Sequence, residues 1–231
     1  MTGDLLLEGG AEFGGAMAEP DRRAIELAGG KDVPLVIIPT AAAPDNNHQR
    51  AGANGRRWFE SLGVRQVRVV PLIDRTSAAD PQIVEQLRLA RLIYLLGGFT
   101  HYLGQVLAGT PAWEAVMAAH AEGALIAGSS AGAMVLAEYY FDPQGGRVVK
   151  GLNLVPDSCV IPHHDTFGRS WAPRLRALLP DVTLIGIDEQ TGMLSARQPG
   201  SWRVYGRGAV TVYMPTKTTM VTRSKDIFTL D

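Results

Sequence analysis

Three continuous apolar runs punctuate this chain: Leu35-Val36-Ile37-Ile38, Leu92-Ile93-Tyr94-Leu95-Leu96 and Ala124-Leu125-Ile126-Ala127. None alternates with polar residues, so a strand built from any of them needs cover on both faces. That is the requirement of a parallel sheet with helices above and below. Each run stops at a turn former, Pro39-Thr40, Gly97-Gly98 and Gly128 respectively. Helical patterns fill the spaces between. The alternation predicts an α/β fold, a three-layer α/β/α sandwich around a mainly parallel sheet.

The elements are read in chain order as follows. Leu5-Leu6-Leu7 is a strand ending at Gly9-Gly10. A helix runs from Pro20 to Ala28, and Gly29-Gly30 stops it. Asn47 to Leu62 is a helix carrying Trp58, Phe59 and Leu62, and Val67 to Leu72 is a strand. Asp80-Pro81 and Thr110-Pro111 each read as an N-cap followed by proline in the first turn; their helices run to about Ala90 and Glu122. A further helix spans Tyr102 to Ala108, and Ala131 to Glu138 is compatible with helix. Gly145 to Pro156 reads as loop. Ser158 to Ile161 and Thr183 to Ile187 are strands with a helix, Trp171 to Leu179, between them. From Met193 to Thr222, β-rich pieces broken by turns at Pro199-Gly200, Gly206 to Gly208 and Pro215 are expected to complete the sheet.

At 231 residues and 46% hydrophobic, the chain can bury one sizeable core, and a single domain over 1–231 is expected. The net charge of −1 offers no field for nucleic acid or an anionic membrane surface. No apolar run approaches the roughly 20 residues of a membrane helix. The N-terminus lacks the basic flank of a signal peptide, and the one cysteine, Cys159, cannot form an internal disulfide. These features predict a cytoplasmic protein.

Gly128-Ser129-Ser130-Ala131-Gly132 follows the third apolar run and precedes a helix. The spacing Gly-x-Ser-x-Gly fits a nucleophile elbow, in which a sharp strand-to-helix turn lifts one hydroxyl above the carboxyl ends of the strands. A bare turn with no chemistry has the same sequence. The helix start supplies free N–H groups that suit a developing oxyanion. A serine hydroxyl needs a positioned base, and the base an orienting acid. Of five histidines, His163 and His164 follow a strand on the edge where Ser130 emerges. His48 and His101 lie near other strand ends, and His120 sits among alanines and reads as a surface residue. For the acid, Asp188 and Glu189 end the next strand on that same edge of one sheet, whereas Asp157 begins the histidine strand and belongs to the opposite edge. Chain order alone does not decide among them. The backbone N–H groups of Ala131 and Gly98 are the candidate oxyanion donors. No metal site is expected, because adjacent histidines diverge on a strand and no thiol cluster exists. The glycine pairs form neither a P-loop nor a dinucleotide fingerprint, so no cofactor is expected.

Six short motifs occur in order: Leu7-Glu8-Gly9-Gly10, Ile38-Pro39-Thr40-Ala41, Leu96-Gly97-Gly98, Gly128 to Ala133, Pro162-His163 and Gly186 to Thr191. This set resembles the serine peptidase family that contains cyanophycinase and the aspartyl dipeptidase peptidase E. The resemblance implies a class I glutamine-amidotransferase-like fold, a Ser130 nucleophile, a His163 base and a Glu189 acid, with Gly98 and Ala131 forming the oxyanion hole. It also implies peptide substrates next to aspartyl residues and a homodimer. The chain departs from cyanophycinase-like sequences at Phe99-Thr100 and Ile161-Pro162, where those carry Asp-Gln, so cyanophycin is not the expected substrate. Phe99, Thr100, His164 and Arg169 are the candidate substrate contacts. Arg169 is included because a guanidinium binds carboxylate bidentately. The expected activity is hydrolysis of short peptides, as an exopeptidase or dipeptidase. An esterase or amidase with the same triad, or a non-catalytic binding module on this fold, are the rival readings.

Overall fold

The structure is a computed structural model and describes residues 2–196, 200–216 and 219–230. In the first half of the chain, strands β1 (Leu5–Glu8), β2 (Pro34–Ile38), β3 (Gln66–Val69), β4 (Leu92–Leu95) and β5 (Leu125–Ser129) alternate with helices. The helices are α1 (Ala18–Leu27), α2 (His48–Ser61), α3 (Pro81–Arg88), α4 (Thr100–Leu107) and α5 (Pro111–Ala121), with α6 (Ala131–Leu136) after β5. The second half holds β6 (Ala137–Asp142), β7 (Arg147–Lys150), β8 (Val155–Ile161), α7 (Ala172–Leu178) and β9 (Thr183–Ile187). It closes with β10 (Thr191–Ser195), β11 (Ser201–Gly206), β12 (Ala209–Tyr213), β13 (Thr219–Arg223) and β14 (Ile227–Thr229).

The expected α/β class is present, with helices on both faces of a sheet whose centre is parallel. The strands, however, divide between two sheets. One has the order β14-β11-β10-β1-β5-β4-β2-β3, in which β1, β5, β4, β2 and β3 run parallel. The other has the order β13-β12-β9-β8-β6-β7, with β6, β8 and β9 parallel. Of the C-terminal strands, β10, β11 and β14 complete the first sheet, while β12 and β13 extend the second.

Alternation along the central strands sorts side chains onto two faces. Leu6, Leu35, Ile37, Leu92, Tyr94 and Ala127 pack under α1 and α2. Leu5, Leu7, Val36, Ile38, Ile93, Leu95 and Ile126 join the larger core, which also takes in Val160, Leu184 and Val212 of the second sheet. Helix α6 lies against β5, β6 and β8, so it bridges the two sheets directly behind the elbow.

Two local expectations are corrected. The helix expected to reach Glu138 ends at Leu136, because Tyr139, Tyr140 and Phe141 favour an extended backbone and pair in β6. The stretch expected to be loop contains β7, a half-exposed edge strand on β6. Turns do occur at Gly206 to Gly208 and at Pro215; Pro199 lies outside the described residues.

Candidate active site

Ser130 follows β5 with φ 50° and ψ −111°, a conformation costly for any residue with a side chain. The surroundings hold it there. Its N–H donates to Glu8 O at 3.0 Å, and its carbonyl accepts from Met134 N at 2.9 Å. The flanking glycines are needed for space. A Cβ on Gly128 would stand 2.5 Å from the Gly132 carbonyl carbon, and one on Gly132 would stand 2.2 Å from Leu95 O. Only with both side chains absent can α6 start this close to the strands.

His163 follows β8, and its side chain reaches across to the first sheet. Its Nε2 lies 3.0 Å from Ser130 Oγ, and its Nδ1 lies 2.7 Å from Glu189 Oε1. An ionised carboxylate only accepts, so Nδ1 carries the proton and Nε2 is free to accept from the serine hydroxyl. The side chains of His163 and Glu189 are 19% and 34% exposed, open enough for a substrate to reach.

These three residues therefore come from the ends of strands in two sheets, β5 in one and β8 and β9 in the other. The expected common edge of one sheet is replaced by a seam. Gly9 and Gly10, just past β1, stitch it: Gly9 O accepts from His163 N at 2.7 Å, and Gly10 O from Gln190 N at 3.0 Å. Gly10 has φ 115°, and a Cβ there would stand 2.3 Å from the His163 ring. Three further supports had no signal in spacing or periodicity. Phe167 stacks on the His163 ring at 4.8 Å and 25°. Asp165 Oδ1 accepts from Glu189 N at 2.8 Å. Gln190, at φ 53°, turns the chain immediately after Glu189.

The alternative acids are placed elsewhere. Asp188 Oδ2 accepts from Ala209 N at 2.9 Å, and its Oδ1 lies 3.4 Å from His164 Nδ1. Asp157 is at the start of β8, where its N–H meets Glu138 Oε2 at 2.9 Å.

Gly98 adopts φ 137°, and a Cβ on it would stand 2.3 Å from Ala41 O. Neither the conformation nor the space admits another residue. Ala131, as first residue of α6, has an N–H without an intrahelical acceptor. Beside Gly97 and Gly98 opens a cavity of about 530 Å³, lined also by Glu12, Phe99, Asp45 and Arg50. Of the four candidate substrate contacts, only Phe99 borders it. Thr100 is buried, with its hydroxyl 3.5 Å from Met134 Sδ. His164 is fully buried, pairs with Tyr213 Oη at 2.8 Å, and is held below the usual imidazole range by burial and by nearby Arg169. His163 lies past the end of β8 in left-handed backbone, at φ 49°, and this turn sends its side chain to Ser130 while that of His164 goes into the core. Arg169 lines a different hollow, with Tyr213 and Met214. His120, expected at the surface, is buried, its Nδ1 3.0 Å from Ala124 O.

The model of peptidase family S51 matches residues 5–197. Cyanophycinases of Synechococcus elongatus and of Thermosynechococcus vestitus are each 32% identical over 208 residues, which cover 82% of this chain and 61% of theirs. This chain thus matches less than two thirds of their length. The cyanophycinase of Geminocystis herdmanii is 28% identical over 227 residues, 92% of this chain and 80% of that one. Among solved structures, a peptidase from an acI-B1 actinobacterium has a TM-score of 0.87 at 29% identity, covering 100% of this chain and 98% of that one. A Listeria monocytogenes protein assigned to peptidase E shares the fold, with a TM-score of 0.66 at 21% identity over 90% of this chain and 100% of its own. The family match spans both sheets and every strand that carries the site, and on it the chain belongs to peptidase family S51.

Proposed function

We propose that this chain is a serine peptidase that hydrolyses short peptides through an acyl-enzyme. The observation that carries the reading is the unbroken hydrogen-bonded series Ser130–His163–Glu189, at 3.0 and 2.7 Å, on a strained elbow. Ser130 Oγ attacks the scissile carbonyl while His163 Nε2 takes its proton. Glu189 holds the imidazole in the required tautomer and stabilises the imidazolium. The oxyanion of the tetrahedral intermediate is received by the N–H groups of Gly98 and Ala131. Each such donor is worth roughly 3–4 kcal/mol in the transition state. His163 then protonates the leaving amine, and water, activated by the same imidazole, releases the acid product. The peptide class of substrate and the homodimer are part of this proposal and rest on the family, and the cytoplasmic setting is part of it on the features of the sequence.

The test is hydrolysis of a panel of short peptides, with matched esters alongside, by wild type, Ser130→Ala and His163→Ala. The expected result is peptide turnover by wild type and a fall of at least about 10⁴-fold in kcat for either variant. Undiminished turnover in Ser130→Ala would falsify the mechanism.

A further inference from the structure

The loop after β1 places a carboxylate beside the nucleophile that the triad does not use. Glu12 lies between two residues of left-handed backbone, Ala11 at φ 56° and Phe13 at φ 65°. Phe13 anchors the loop by packing on Tyr94 and Phe59 at 5.6 and 6.2 Å. The fully buried hydroxyl of Ser129 donates to Glu12 Oε2 at 3.1 Å, so the residue just before the nucleophile is committed to holding this side chain. None of the ion pairs among the described residues involves Glu12.

Its other oxygen lies against Gly97, next to the nucleophile. A Cβ built on Gly97 would stand 3.3 Å from Glu12 Oε1 and 3.2 Å from Ser130 Cβ, which puts the two groups no more than about 6.5 Å apart. Gly97 is not among the positive-φ glycines, so its bare backbone serves space, not conformation. It leaves the floor between carboxylate and nucleophile open. The other ionised groups on this cavity are engaged with Asn47: Asp45 Oδ1 accepts from its N–H at 3.3 Å, and Arg50 Nε donates to its Oδ1 at 2.8 Å.

From this geometry we infer that Glu12 receives the free α-ammonium group of the residue on the acyl side of the scissile bond, making the protein an exopeptidase that acts at unblocked N-termini. The inference rests on the serine-peptidase reading above. Reach selects the α-amine. It lies about 2.5 Å from its own carbonyl carbon, so with that carbon at Ser130 Oγ the nitrogen can span the short gap to the carboxylate. A lysine or arginine head group, several bonds further out, would overshoot it. Because one carboxylate oxygen is tied to Ser129, the side chain is held in place before substrate arrives.

The test compares kcat/KM for an unblocked dipeptide, its N-acetyl counterpart and an N-acetyl peptide with lysine on the acyl side, in wild type and Glu12→Gln. Glutamine keeps the bond from Ser129 and removes only the charge. Wild type is expected to prefer the unblocked peptide by about 10- to 100-fold, the worth of one charge-assisted hydrogen bond, and Glu12→Gln to lose most of that preference. Equal cleavage of blocked and unblocked peptides by wild type, or an unchanged preference in Glu12→Gln, would overturn the inference while leaving the peptidase reading intact. A Glu12-dependent preference for the lysine peptide alone would overturn it in favour of a side-chain cation. Wild type that hydrolyses none of the peptides would overturn the peptidase reading, and this inference with it.

Discussion

Two hydrogen-bonded carboxyl networks meet the end of β1, one sealed in the core and one open at the strand edge. On the face under α1 and α2, Glu8 Oε2 accepts from Tyr94 Oη at 2.5 Å, and Asp21 Oδ2 from Trp58 Nε1 at 2.7 Å. Both carboxyls are sealed from water, and each keeps one oxygen, Glu8 Oε1 and Asp21 Oδ1, with no donor. Burial, reinforced by the neighbouring acids, pushes Glu8 well above the carboxylate range and Asp21 up to about 7. A proton retained on Glu8 turns one of its oxygens into a hydrogen-bond donor. At the carboxyl edge, by contrast, Glu189 is a third exposed and faces an imidazole. An acid hydrogen-bonded to a base at an open edge can orient that base and steady an imidazolium. An acid beside an acid in the core keeps a proton and can only set how stability depends on pH.

Exchanging the charge for an isosteric amide should therefore have different consequences in the two networks. Glu189→Gln, at the open edge, is expected to lower kcat for peptide hydrolysis by roughly 10²- to 10⁴-fold with little change in Tm, because an amide can stabilise the wrong imidazole tautomer. A loss of stability with kcat preserved would move Glu189 to a structural role. Asp21→Asn, in the sealed network, is expected to leave kcat near wild type and to change the pH profile of stability. The folded pKa of Asp21 is raised above its unfolded value of about 4. Below that value both states hold the proton. Between about 4 and about 7 the unfolded chain releases its proton while the folded chain retains it, so stability falls as pH rises; above about 7 the loss is complete. The variant removes that contribution, so thermal unfolding between pH 5 and 8 should show a shallower slope, with Tm at pH 8 raised by roughly 3–8 °C. An unchanged slope would mean that Asp21 is ionised in the folded state.

The sequence carries the triad and the buried acids very unequally. The strands read out because long apolar runs have one stable solution, and the caps because Asp80 and Thr110 do what their chemistry favours, accepting from Gln82 N and Trp113 N. The elbow was legible because Gly128 and Gly132 mark a crowded backbone. What stayed hidden depends on contacts distant in sequence. β1 pairs Leu6 with Leu194 on one side and with Ala127 on the other, and no local pattern reports that its end joins two sheets. Glu8 looks like the polar last residue of a strand, and its burial follows only from alternation once Leu6 and Tyr94 are known to share its face. Glu12 and Phe167 sit in loops, where periodicity gives no signal. Ser129 reads as the idle neighbour of Ser130 until its hydroxyl is seen on Glu12.

The central claim is that Ser130, alone among the hydroxyls of the described residues, is activated by the network at the open edge. Its most direct test is covalent labelling with a peptidyl phosphonate, followed by mass spectrometry of the digested protein. The account predicts one adduct per chain, on Ser130, which disappears in Ser130→Ala and forms far more slowly in His163→Ala. An adduct on another residue, or equal labelling of the Ser130→Ala protein, would contradict it.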